Sequence, residues 1–347
     1  MHRYRVFDAC TIQACTIQFK SLIATCLAIV AALVGLSTGR SALAQTGSAA
    51  YFPERQVRIV VPFPAGGASD IVARLFAKEL GETWKQTVLV ENKPGASGHL
   101  GAQYVANAKP DGHTLVLADM STFTMSPALM PGLTYNPGTE LTPVVIATFS
   151  PHILVVKNQM PVNNFDEFIA YAKAQKYPLS SGVTLGTAVH LAGIVMSQGL
   201  GFEMNFIGYK GGAQVVSDLA GGQIDSALNS FLATYGMVKA GNFKLIAVAS
   251  PKRFSQIPDT PAISEKIPNF VTGSFQGMMT ATGTPPAIIE KINAEVQRIA
   301  ATPEVQKRLT ELGSEAVTLS PKEVQQWIND QTTFWGKVIK DNNVKLQ

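Results

Sequence analysis

The residues of this 347-residue chain best suited to hold an anion lie at glycine-rich junctions between short apolar runs and amphipathic ones. The first junction is Pro62 to Asp70 and contains Phe63, Ala65, Gly66, Gly67, Ser69 and Asp70. Two adjacent glycines let main-chain N–H groups turn toward a single point. Ser69 or Asp70 can cap the helix that follows, and any amide left uncapped there attracts negative charge. One helix terminus contributes only about 0.3 to 2 kcal/mol per anion, so several donors must converge. The same residues also suit a plain tight turn in which Asp70 acts as a cap and nothing is bound.

A second junction runs from Ser181 to His190, again from an apolar run into a helix, and holds Leu185, Gly186, Thr187 and Ala188. The hydroxyls of Thr184 and Thr187 can donate to a carboxylate without burying a permanent charge. His190 falls in the first turn, where a histidine serves as a hydrogen-bonding group. No second ligand stands at metal spacing from it, so neither a metal nor a cofactor is expected. At the third junction, Tyr209 to Gly212, Lys210 offers a cation for an acidic solute. Lys210 also reads as an ordinary surface lysine or as a partner of Asp225. Asn92 to Gly98 is a further glycine-rich junction with a structural reading. Ser121 and Thr122, just past Asp119 at the end of a third apolar run, face the same end of the sheet.

Constellations for catalysis are missing. There is no H-E-x-x-H and no G-x-x-x-x-G-K, and Gly95-Ala96-Ser97-Gly98-His99 departs from the hydrolase elbow at its last residue. An exported hydrolase built from dispersed residues is the second reading, and a ligand sensor reporting to a kinase is the third.

The first 44 residues carry Arg3, Arg5 and Lys20, then the uncharged run Ser21 to Leu36, then Ala42-Leu43-Ala44. A basic start, a short apolar centre and an A-x-A end predict a secretory signal peptide cleaved after Ala44, and hence a periplasmic protein. Cys10, Cys15 and Cys26 all lie in this leader. The mature chain therefore has no disulfide, no cysteine nucleophile and no thiolate metal site. Of 28 basic and 24 acidic residues, four basic ones (Arg3, Arg5, Lys20, Arg40) and one acidic one (Asp8) belong to the leader. The near-neutral remainder has no basic stripe, so no nucleic-acid partner is expected.

The elements that must position the junctions alternate. Apolar runs at 57–63, 87–90 and 114–118 are interleaved with helical spacing at 69–80 and 98–108, which predicts a parallel sheet with helical crossovers. The pattern resets at Val144 to Phe149 and Ile153 to Val156, two strand-like runs broken by Ser150-Pro151-His152. Strands at 179–182, 203–209, 224–228 and 245–249 then alternate with helices, and Ser274 to Ala281 brings the chain back. Three helices close the chain: Thr284-Pro285 and Thr302-Pro303 read as capped starts, and Ser320-Pro321-Lys322-Glu323 as a capping box. Helical spacing places Trp327 and Trp335 in the core. The expected fold is α/β and two-lobed, with a mostly parallel sheet in each lobe. Lobe 1 is 51–147 plus 276–347, lobe 2 is 148–275, and the site lies in the cleft between them.

At these junctions the sequence resembles one family. Gly66-Gly67-x-x-Asp70, Glu91-Asn92-Lys93-Pro94-Gly95-Ala96, Pro110-Asp111-Gly112, His190-Leu191-Ala192, Tyr209-Lys210-Gly211, Gly221-Gly222-Gln223-Ile224-Asp225 and Thr282-Gly283-Thr284-Pro285 occur in the order found in Bug receptors. These are the solute-binding components of tripartite tricarboxylate transporters. The resemblance implies a type II periplasmic-binding-protein (Venus flytrap) fold and a non-enzymatic role. It also implies a small carboxylate ligand and membrane transporter subunits as partners; a monomer is expected. It places ligand contacts at Ala65, Gly66, Gly67, Gly186, Thr187 and Ala188, and gives Asp70, His190 and Asp225 cleft-forming positions. Asp119, and Phe275-Gln276-Gly277 where an aromatic pair is usual, depart from the family pattern, so Asp119, Phe123 or Phe275 is expected to help select the ligand.

Overall fold

A computed structural model describes residues 51–344, apart from Pro131, Gly186, Lys210 and Gly211. The expected leader and its cleavage point lie outside the described residues. The chain opens with β1 (Val57–Val61), α1 (Ala68–Trp84), β2 (Val88–Asn92), α2 (His99–Ala106) and β3 (Thr114–Asp119). In β1, Val57, Ile59, Val60 and Val61 are wholly enclosed, the burial of a strand covered on both faces. Helix α1 turns Val72, Ala73, Phe76, Ala77 and Leu80 onto this sheet. Truncating Phe76 or Leu80, both fully buried, would cost about 2 to 5 kcal/mol.

Next come α3 (Ser121–Leu129), the short α4 (Pro137–Glu140) and β4 (Leu141–Lys157). They are followed by α5 (Phe165–Ala174), β5 (Leu179–Thr184), α6 (Ala188–Leu200), β6 (Met204–Tyr209) and α7 (Gly212–Ala220). The chain continues with β7 (Ser226–Ser230), α8 (Phe231–Lys239), β8 (Phe243–Val248) and β9 (Gly273–Ala281). It finishes with α9 (Pro286–Ala300), α10 (Pro303–Glu311), β10 (Glu315–Ala316) and α11 (Pro321–Asp341).

The strands run in the order β2-β1-β3-β9-β4-β7-β5-β6, with β8 and β10 also beside β4. Two parallel groups, β2-β1-β3 and β7-β5-β6, flank the antiparallel β9 and β4.

The expected break at Ser150-Pro151-His152 is absent, and β4 is one continuous strand of 17 residues. Its partners change instead. Leu141 to Pro151 pair with β9, whereas His152 onward pairs with β7 and, from Ile153, with β8. Pro151 has no N–H to give, but it sits opposite Gly273, and the next amide, His152 N, donates to Thr272 O at 3.0 Å. Ala249 N donates to His152 O at 2.9 Å, so ladder bonding resumes at once. Only glycine fits at 273, because a Cβ there would stand 2.3 Å from Ser150 O and 2.9 Å from Pro151 Cα.

At the closing helices, Ser320 accepts from Glu323 N and Glu323 accepts from Ser320 N, which completes the predicted capping box. Two predicted caps differ. Pro285, not Thr284, is the N-cap of α9, and the Thr284 hydroxyl donates to Ala281 O at 2.8 Å. Thr302 is the N-cap of α10, but its hydroxyl donates to Ile299 O instead of capping. Trp335 is buried, and Trp327 packs against a core edge. Helix α11 contributes Val324 and Ile328 to the core around Val60 and Val116, and Trp335 and Ile339 to the core around Leu154 and Leu191.

Candidate functional site

The parallel strands of the two groups end in loops that border one cavity of about 380 Å³. From the first group come Phe63 after β1, Ser97 and His99 at the start of α2, and Ser121, Thr122, Met125, Ser126, Leu129 and Met130 along α3 and its end. From the second come Thr184 and Leu185 at the end of β5, then Thr187 and Ala188 at the start of α6. Carboxyl ends of strands are where open α/β sheets leave room for a ligand, because the loops diverge there.

Of the expected site residues, the fold brings together Phe63, Ser121, Thr122, Leu185, Thr187 and Ala188 around this cavity. Gly186 lies outside the described residues. The Thr187 hydroxyl is already committed, donating to Thr184 O at 2.6 Å, so it is not the free donor that the sequence suggested. The 13-residue helix α6 nevertheless has no side-chain cap at Thr187, which leaves first-turn amides beside the cavity wall at Ala188.

At the first junction, Ala65, Gly66 and Gly67 are exposed and do not border the cavity. Gly66 takes φ +83°, a left-handed conformation that favours glycine. Its amide donates to Asp70 Oδ2 at 2.9 Å. Asp70 and Ser69 are buried. Asp70 also accepts from Arg74 Nε at 3.0 Å and from Asn92 Nδ2 at 2.9 Å, while Asn92 Nδ2 lies 3.1 Å from Phe63 O. The Arg74 guanidinium, with help from the Gly66 amide and Asn92, holds the Asp70 carboxyl at a pKa of about 2. Asp70 therefore fastens the loop from behind.

Three other expected residues stand apart from this cavity. Asp225 precedes β7, at the opposite end of the parallel strands from the cavity. It pairs with Lys157 Nζ at 2.6 Å and accepts from Ser180 N and Oγ at 2.9 and 2.7 Å. The cation beside it is thus Lys157; Lys210 lies outside the described residues. Tyr209 donates its hydroxyl to Asp218 at 2.8 Å and does not reach the cavity. His190 packs edge-on against Phe206 with ring centroids 5.4 Å apart, and burial lowers its pKa; it too is absent from the cavity wall.

The expected selectivity residues also lie off the cavity. Phe123 is buried in the core, and Phe275 stacks between Phe149 and Trp327 at centroid distances of 4.5 and 4.6 Å. Asp119 accepts from Ser121 N at 3.0 Å at the start of α3. Burial raises its pKa, against the opposing hydrogen bonds from Ser274 and Ser121.

Ser97, His99, Met125, Ser126, Leu129 and Met130 line the cavity without a signal in the sequence. The first two sit in the Asn92 to Gly98 junction and its next residue, a stretch with a structural reading. The rest lie on α3 and its C-cap Met130, where apolar and polar residues follow no clear stripe. Among the described residues no group of histidines, cysteines or carboxylates is placed to hold a metal, and no helix is long and apolar enough to cross a membrane.

Two parallel strand groups sharing a central strand, with loops from both around one cavity, define a two-lobed α/β solute-binding protein. The chain belongs to the family described as the tripartite tricarboxylate transporter family receptor, whose sequence signature matches residues 72–344. It is 29% identical over 319 residues to the protein BugT of Bordetella pertussis, covering 91% of this chain and 98% of BugT. Among solved structures it is similar to R. palustris Rpa4515 with adipate, at TM-score 0.74 and 30% identity over 85% of this chain and 100% of that one. It is also similar to MatC (Rpa3494) from Rhodopseudomonas palustris with bound malate, at TM-score 0.69 and 31% identity over 83% and 100%. The family consists of periplasmic solute-binding receptors, not enzymes.

Proposed function

We propose that this protein captures a small organic carboxylate in the 380 Å³ cavity and delivers it to membrane subunits of a tripartite tricarboxylate-type transporter. The observation that carries the reading is the uncapped start of α6, which faces Phe63, Ser121 and Thr122 across the cavity. Helix amides there receive an anion without a buried counter-charge. The adipate and malate seen in the two similar structures support the same ligand class. The lobes of this reading are 51–147 plus 276–347, and 148–275, in a monomer released by cleavage after Ala44. The change of strand partners at Pro151 and His152, close to both chain crossings, supports that division. Closure follows ligand binding because contacts to both lobes exist only in the closed state.

The test is a thermal-shift screen of residues 45–347 against mono-, di- and tricarboxylates, aromatic acids, sugars and amines. A ligand at a hundred times its Kd adds about 2.7 kcal/mol of stability. A sugar or amine that raises the transition while no carboxylate does so refutes the reading.

A further inference from the structure

His99 is buried, and its ring borders two cavities, the 380 Å³ cavity above and a neighbouring one of about 510 Å³ lined by Leu100, Leu129, Met130, Leu133 and Tyr135. Its Nδ1 lies 3.0 Å from the Tyr135 hydroxyl. Its Nε2 has no hydrogen-bond partner among the described residues, and the residue lines both cavities.

The tautomer follows from Tyr135. That hydroxyl is buried and its one hydrogen-bond partner among the described residues is His99 Nδ1. If Nδ1 carried the proton, the tyrosine O–H would lose its one acceptor among the described residues. The tyrosine therefore donates to Nδ1, and the imidazole proton stands on Nε2. Burial lowers the pKa of His99, so the ring is neutral at pH 7. No lysine or arginine lines either cavity among the described residues.

We infer that His99, oriented by Tyr135, is a specificity-determining residue whose Nε2–H donates to an uncharged acceptor at the far end of the ligand. Building on the carboxylate reading, the ligand class becomes a monocarboxylate with an apolar middle and a distal carbonyl, such as a keto acid. Its carboxylate sits at the start of α6 and its methylene chain lies along Met125, Leu129 and Leu185. A second carboxylate in place of the carbonyl would lose water without gaining a cation.

Calorimetric titration of residues 45–347 compares 4-oxopentanoate, 5-oxohexanoate and 6-oxoheptanoate with the straight-chain acids of equal length and with adipate. A net hydrogen bond of about 1 kcal/mol corresponds to a preference of about fivefold for the best-fitting keto acid. His99→Ala should bring the pair within twofold of each other. His99→Gln, which keeps an N–H donor, should retain part of the preference, and Tyr135→Phe should weaken it. These two variants give the answer if His99→Ala does not fold. Equal binding of the pair by the unmodified protein, or a preference that survives His99→Ala, overturns the inference. So does adipate binding more tightly than any keto acid, although that result leaves the carboxylate reading standing. If no acid of any kind binds, the reading beneath it falls as well.

Discussion

Asn92 Nδ2 donates to Asp70 Oδ1 at 2.9 Å, fastening the end of β2 to the first turn of α1. The other oxygen of Asp70 takes the Gly66 amide and Arg74. The carboxylate therefore shapes the exposed loop at Ala65 to Gly67 without touching the cavity. Asp70→Ala should destabilise the protein by about 1 to 3 kcal/mol, since it orphans buried donors. Denaturant unfolding of the two proteins checks this.

Acid should weaken the fold in two stages. His152 is buried, with Nδ1 3.0 Å from Thr272 Oγ1, and burial lowers its pKa to about 4. Between the ordinary value near 6.5 and 4 the unfolded chain binds more protons, so stability falls as pH drops through that window, by up to about 3 kcal/mol. Asp70, at about 2, adds a second loss as pH falls from about 4 toward 2. Urea midpoints at pH 7, 5 and 3 should show both stages. His152→Asn should flatten the upper one and Asp70→Asn the lower one.

Gly273→Ala should cost about 1 to 3 kcal/mol, because the new methyl meets Ser150 O and Pro151 Cα, main-chain atoms that cannot rotate aside. A fall of the unfolding midpoint of less than about 0.5 kcal/mol equivalent would show that the two crossing strands are looser than their ladder implies.

Asp225→Asn should lower stability by about 1 to 3 kcal/mol through its Lys157 and Ser180 partners. Its ligand affinity should stay within twofold of the unmodified protein. A tenfold loss of affinity with unchanged stability would return Asp225 to the binding site.

The alternation of strands and helices was legible because burial on both faces leaves a near-continuous apolar run, as in Val57 to Val61. The junctions at Phe63 and at Thr187 were legible because glycine marks where a strand gives way to a helix. Proline at 151 was misleading. A missing N–H breaks a strand only if the neighbour needs it, and Gly273 opposite it lets the chains cross closely instead. Asp225 and Tyr209 stand away from the cavity, since motif proximity does not say which end of a strand a residue occupies. His99 escaped notice because its partner, Tyr135, lies 36 residues away in sequence.

Helix α11 lends its first turns to one core and its last turns to the other, and β4 threads hydrogen bonds through both. Neither lobe is therefore a self-standing module. A lobe excised at the crossings would lose half of a shared strand and bare a stripe of apolar helix-binding surface to water. The whole body should melt in one cooperative step.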